Sequence, residues 1–242
     1  MKKLSSVIVL LALLTQTVSA QFSDIGPNTD YRDAILWLYD NEVINGYDED
    51  GTFRPEVCVN RVEILKMIYL ANETDINDLG AGAGWYGYFS DVDENGWYWP
   101  YLRYALETDT VVGYSNKTFR PDECVNRVEA IKMATLEFNK GEIPSDGYAG
   151  ISILIDSFKD IDQEGWYFPY FTYAISANAV GLKHVTQLAN PESPYYEMDQ
   201  YFGPDNDMSR KEVSEMLYRL KAIRDRGIAR YNNEVPDDIV TQ

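Results

Sequence analysis

The decapeptide CVNRVEILKM at 58–67 returns as CVNRVEAIKM at 124–133, changed at two positions. Its third and sixth residues form a capping box. Asn60 and Asn126 each stand three residues before a glutamate, Glu63 and Glu129, and Ser209 stands three before Glu212. In such a box the cap side chain accepts from the third backbone amide, and the glutamate accepts from the cap's own N–H. Beyond the cap, Val62, Leu65 and Tyr69, or Val213, Met216, Leu217 and Leu220, recur at helical spacing. The decapeptide is therefore a helix start, written at least twice and echoed a third time.

Working outward, the same order of signals surrounds each copy. Phe22-Ser23-Asp24 recurs as Phe89-Ser90-Asp91 and Phe158-Lys159-Asp160. Phe53-Arg54-Pro55 recurs as Phe119-Arg120-Pro121 and Phe202-Gly203-Pro204. Eight residues after each of these phenylalanines stands an arginine, Arg61, Arg127 or Arg210. Trp97-Tyr98-Trp99-Pro100 opens a helix with proline in its first turn, where the missing N–H costs nothing. Tyr98, Leu102, Ala105 and Leu106 then keep one apolar face, and Gly113-Tyr114-Ser115-Asn116 supplies turn chemistry. Each copy reads as helix, loop, helix, so the fold expected is all-α.

The copies span 22–71, 89–138 and 158–222, with linkers at 72–88 and 139–157, an insertion in the third copy at about 184–201, and a charged tail at 223–242. Residues 1–20 read as a secretory signal peptide. Lys2 and Lys3 precede an apolar run from Val7 to Leu14, and Val18-Ser19-Ala20 gives a cleavage site. The run is too short for a membrane span, and no cysteine near it suggests a lipoprotein. The mature chain is expected to be exported, with no membrane insertion after cleavage. With 39 acidic residues against 21 basic the chain carries a formal charge of −18, which disfavours nucleic acid as a partner.

Chemistry of other kinds finds little footing. His184 is the single histidine and lies in the insertion, away from any nucleophile motif. Two cysteines and one histidine do not make a zinc site, so no metal and no cofactor are expected. Asp91-Val92-Asp93-Glu94-Asn95-Gly96 begins like a calcium loop, but Leu102 stands where the bidentate glutamate belongs. A non-catalytic protein is expected.

The order Phe-x-Asp, Trp, Gly-Tyr, Thr-Phe-Arg-Pro and Asn-Arg-x-Glu resembles the S-layer homology (SLH) module, over nearly the whole mature chain. The resemblance implies three repeats packed as a pseudo-threefold, three-pronged spindle. It implies non-covalent anchoring in the cell envelope through a secondary cell-wall polysaccharide, often one carrying a pyruvylated amino sugar, held in grooves between repeats. Glycan-binding positions implied are Arg61, Arg127 and Arg210; Asp24, Asp91 and Asp160; Trp97 and Trp166; and Gly46 and Gly113, with Gly181 a weaker match. The first copy has Asp30 where the tryptophan belongs, so the second copy's groove is the most complete, and loss of Arg127 is expected to weaken binding more than loss of Arg61. The alternative is a structural envelope module that contacts other proteins and binds no glycan.

Elementary physics supports the arginines. At the first turn of a helix a guanidinium lies beside unpaired backbone amides and the positive end of the macrodipole, a setting for a carboxylate. The competing role for Arg61 is an ion pair with Asp24 or Glu63, and for the tryptophans a place in the core. Cys58 and Cys124 occupy equivalent positions, and equivalent positions can meet at a pseudo-threefold axis. Either a disulfide between them or two buried thiols follows, and export favours the disulfide.

Overall fold

A computed structural model describes residues 22–77, 85, 87–143, 155–181, 186–189 and 198–232. The leader at 1–20, His184, Leu182, the middle of the insertion and the end of the tail lie outside the described residues.

Six helices are present among the described residues: α1 (Arg32–Asp40), α2 (Arg61–Ala71), α3 (Trp99–Glu107), α4 (Arg127–Phe138), α5 (Phe168–Ser176) and α6 (Arg210–Arg226). The fold is all-α, with one small addition. Strands β1 (Thr186–Ala189) and β2 (Met198–Tyr201) pair antiparallel inside the third copy's insertion, with Thr186 opposite Tyr201 and Ala189 opposite Met198. No strand was expected there. The end of β2 is held because Gln200 exchanges backbone bonds with Ser157 and Lys159. In the first two copies Gly51 and Lys117 offer the equivalent carbonyls to Ser23 and Ser90.

All three capping boxes form. The side chains of Asn60, Asn126 and Ser209 accept from the amides of Glu63, Glu129 and Glu212, and each glutamate side chain accepts from its cap's backbone. Each box stabilises its helix by about 1 kcal/mol.

The caps also join the copies in a ring. Val125 donates to the carbonyl of Val59, Met208 to that of Val125, and Val59 to that of Met208, at 2.9, 3.0 and 3.1 Å. The next residues repeat the cycle: Arg61 donates to Glu123, Arg127 to Asn206 and Arg210 to Val57. A third round runs from Val62 to Pro121, Val128 to Pro204 and Lys211 to Pro55. The first amides of α2, α4 and α6 are therefore satisfied by a neighbouring copy. Cys58 and Cys124 sit on this ring as a disulfide with their Cα atoms 5.8 Å apart. A bridge closing so long a loop adds about 4 kcal/mol in the chain-entropy account.

Around the ring, α2, α4 and α6 pack on one another, while α3 packs on α2, α5 on α4 and α1 on α6. The first helix of each copy thus lies on the second helix of the copy before it, and α1 closes the circle against the end of the chain. Under each loop two phenylalanines meet: Phe22 with Phe53, Phe89 with Phe119 and Phe158 with Phe202, at 5.4, 5.8 and 5.9 Å between ring centres. All six are buried.

The segment after 222 is more than a charged tail. α6 continues to Arg226, Gly227 ends it at φ 61°, and Tyr231 returns to the core beside Tyr218. Its backbone N–H donates to Ala177, and Asn178 donates to its carbonyl. Burial of one apolar face extends the folded unit past the boundary that the repeat pattern suggests.

Candidate functional site

Two cavities of about 220 and 330 Å³ lie between copies and are built from the same ten equivalent positions. The first groove combines the loop Val43–Tyr47, Glu63, Lys66 and Met67 of α2, Trp97, and Arg210 of α6. The second combines Thr110–Tyr114, Glu129, Lys132 and Met133 of α4, Trp166, and Arg61 of α2. Each groove thus draws on all three copies. The first copy is not deficient for having Asp30, because its groove is walled by Trp97 of the second.

The tryptophans stand out from the surface, 55% and 57% exposed, rather than in the core. The ammonium of Lys66 lies 5.7 Å from the Trp97 ring centre, and that of Lys132 lies 5.9 Å from Trp166. On the loop side, the guanidinium groups of Arg54 and Arg210 lie 3.7 and 5.3 Å from the Tyr47 ring centre, and those of Arg120 and Arg61 lie 3.9 and 5.4 Å from that of Tyr114. An indole face, two cations and a tyrosine therefore line each groove.

The arginines cross between copies. Arg61 donates from Nε to the carbonyl of Phe119 and from Nη1 to Glu129 at 3.1 Å. Its acidic partner is thus the next copy's cap glutamate, neither Asp24 nor Glu63. Arg210 donates to the carbonyls of Phe53 and Asn45, and among the described residues no carboxylate lies within salt-bridge reach of it. Burial pushes its proton affinity down, opposed by nearby Tyr47 and Glu63. The unpaired helix-start amides expected beside these arginines are spent on the ring, so positive charge in the grooves comes from side chains.

Arg127 belongs to neither groove. Its Nη1 donates to the carbonyls of Phe202 and Gly203, and its Nη2 pairs with Glu212 at 2.9 Å. The second copy's sequence led to it as the leading arginine, whereas the second groove is served by Arg61.

The three aspartates have a structural task instead of a place in the grooves. Asp24 accepts from the amides of Phe53 and Arg54, Asp91 from those of Phe119 and Arg120, and Asp160 from those of Phe202 and Gly203, at 2.7–2.9 Å. Both oxygens of each carboxylate hold one tight turn. The second residue of that turn has φ 59° in Arg54, 60° in Arg120 and 68° in Gly203. Such a conformation costs a non-glycine residue about 1–2 kcal/mol, and two charge-assisted bonds offset it.

Gly46 and Gly113 line the grooves, and their glycine character is set by packing. A Cβ would lie 2.6 Å from the Phe22 ring at Gly46 and would collide with the Phe89 ring at Gly113. Lys66, Lys132, Tyr47 and Tyr114 were not singled out from the sequence. The lysines stood inside the opening decapeptide, one helical turn after the cap glutamate and on its face.

Among the described residues one cluster has metal-ligand spacing, Cys58, Cys124 and Asp207, and its cysteines are bonded to each other. The aspartates of the calcium-like loop are engaged elsewhere, Asp91 on its turn and Asp93 on the amide of Asn95. No described helix is long and apolar enough to cross a membrane.

Ring, capped helices and aromatic-walled grooves between copies define a class, the repeat-built helical module whose sites lie where repeats meet. Residues 21–63 and 88–131 each match the S-layer homology domain. It is similar to a cellulosome-anchoring protein of Acetivibrio thermocellus, 24% identical over 141 residues that cover 57% of this chain and 30% of that protein. It is also similar to a surface-layer 125 kDa protein of Lysinibacillus sphaericus, 27% identical over 156 residues that cover 62% of this chain and 12% of the relative. The chain thus spans less than a third of the length of either relative.

Proposed function

We propose that this chain is a non-catalytic anchoring module of the cell surface that holds an anionic secondary cell-wall polysaccharide in its inter-repeat grooves. The proposal includes export after loss of residues 1–20, and 158–222 as a third repeat of the same family in a three-pronged arrangement. The observation that carries it is the pairing, in both grooves, of an exposed tryptophan with a lysine over its ring and a buried arginine behind. A sugar ring can lay its apolar face on the indole while an acidic substituent, such as a pyruvate ketal, reaches the two cations. The names of the two relatives, one anchoring and one surface-layer, agree with this role. Locally cationic grooves let an acidic chain hold an acidic glycan.

The purified chain is expected to co-sediment with cell-wall sacculi of its source, and to stay in solution with sacculi chemically stripped of polysaccharide. Trp97→Ala with Trp166→Ala should weaken co-sedimentation, by about fivefold in each groove, while helical content is kept. Undiminished binding to stripped sacculi would replace the glycan by a protein or peptidoglycan partner.

A further inference from the structure

A further cavity, of about 480 Å³, lies where α2, α3 and α4 end, away from the ring. Asn72 and Thr108, the residues that close α2 and α3, line it beside Glu137 and Phe138 of α4 and Arg224 of α6. Thr110 is the one described residue that it shares with a groove.

Its polar groups break the repeat. The amides of Val43, Thr110 and Ala179 donate to the carbonyls of Leu38, Ala105 and Ala174, so these three residues are equivalent. All three are buried, and only the second copy buries a hydroxyl there. Counted from the caps Asn60, Asn126 and Ser209, residues Ala71, Glu137 and Leu220 are equivalent as well. Ala71 and Leu220 are buried in the core, so the fold asks for an apolar side chain at that place. The second copy sets a carboxylate there instead. Departures from a local rule of folding concentrate at functional places.

The chain's own hydrogen bonds leave the cavity incomplete. The Asn72 amide and the Thr74 hydroxyl both donate to Oε1 of Glu137, and the other carboxylate oxygen takes no bond from a described residue. Tyr69 buries its hydroxyl near Thr108, Thr110 and Glu137, none of which meets it in bonding geometry. A buried polar group left so is completed by water or by a guest. Glu73 and Glu137 against Lys140 and Arg224 give the lining no net charge, whereas arginine, lysine and glutamate leave each groove one positive charge. Such a lining offers donors and acceptors together and favours no ion. Sugar hydroxyls are donors and acceptors at once, and the C–H face of a sugar ring can lie on Tyr104 or Phe138. Clefts of this size between helices are ordinary small-molecule sites.

We propose that this cavity binds an uncharged sugar, a hexose or N-acetylhexosamine unit, with Glu137 accepting from its hydroxyls. The site is separate from the grooves and does not depend on their holding an acidic glycan.

The test is nitrogen-15 NMR of the purified chain, titrated through the millimolar range with the methyl glycosides of N-acetylglucosamine, glucose, glucosamine and glucuronic acid. The amides of Thr74, Thr108 and Gly141 should shift saturably with at least one of the two uncharged sugars, which should bind about tenfold more tightly than either charged one. Glu137→Ala, the residue the first copy has there, should keep helical content and weaken the uncharged sugar by about tenfold. If Glu137→Ala does not fold, Glu137→Gln, which keeps a carbonyl for Asn72 and Thr74, should show the same loss. Shifts confined to the grooves, tighter binding of a charged probe, unaltered affinity in the folded variant, or no shift at all overturns the site. Each of these leaves the acidic-glycan reading of the grooves standing.

Discussion

The two open grooves share ten positions but hold their arginines differently. In the second, Arg61 is paired with Glu129 at 3.1 Å, so an incoming anion competes with a carboxylate already in place. In the first, Arg210 leans on two backbone carbonyls, and Glu63 acts on it only at longer range. At the third equivalent position Arg127 has both kinds of partner, two carbonyls and a carboxylate. One sequence position thus carries three balances between holding the fold and offering charge. The more a guanidinium is consumed by the chain, the less it has for a ligand.

The largest effect expected from that series lies in stability, and it falls on Arg127. Arg127→Ala removes the ion pair to Glu212 and the donor to two carbonyls, that of Phe202 buried, at the join of the second and third copies. It should cost about 3–5 kcal/mol in urea unfolding, with affinity for acidic sugar unchanged in the folded fraction. Arg210→Ala leaves carbonyls but no close carboxylate unpaired and should cost less, about 1–3 kcal/mol. It should also lower first-groove affinity by about 10- to 100-fold, the value of a charge-assisted bond. If Arg127→Ala weakens sugar binding more than Arg210→Ala does, the assignment of arginines to grooves is wrong.

A smaller effect separates the tryptophans from the arginines. Trp97 and Trp166 are more than half exposed, so replacing either with alanine should change unfolding free energy by only about 0.5 kcal/mol. Each change should weaken its own groove by about 1 kcal/mol of lost aromatic contact, roughly fivefold by calorimetry. A loss of stability comparable to that of Arg127→Ala would mean that the indoles are structural.

The contrast among the three arginines also shows what a repeated sequence can disclose. The capping boxes were legible because their two members are three residues apart and their geometry is local. The repeat likewise showed that Arg61, Arg127 and Arg210 are equivalent. It could not show which copy each arginine faces, because that depends on how the ring closes. Arg61 meets Phe119, and Arg210 meets Phe53 from the far end of the chain. Trp97 was for the same reason placed with its own copy, when it walls the first groove. The Asp clamps were read as sugar ligands because an aspartate near a phenylalanine says nothing of the positive-φ turn it must hold.

The smallest effect expected concerns pH and the second groove alone. Burial, and then the charge of Arg61, hold Lys132 below the ordinary lysine value of 10.5, with Glu129 opposing them. The cost of keeping this ammonium charged in the folded chain is fully present below its folded-state value. It fades as pH rises through that value toward 10.5, so this term makes the fold more stable with rising pH in that window. A bound carboxylate acts in the opposite sense, favouring the charged form and raising the lysine's proton affinity in the complex. Affinity for acidic sugar should therefore fall as pH rises through the free-state value. Calorimetry on the Arg210→Ala variant, where the weakened first groove leaves the second dominant, should show that fall beginning below 10.5. Lys132→Met should bind more weakly at neutral pH and lose the fall. If the decline persists in Lys132→Met, another group titrates in the groove and the ammonium over Trp166 is not the cation that meets the sugar.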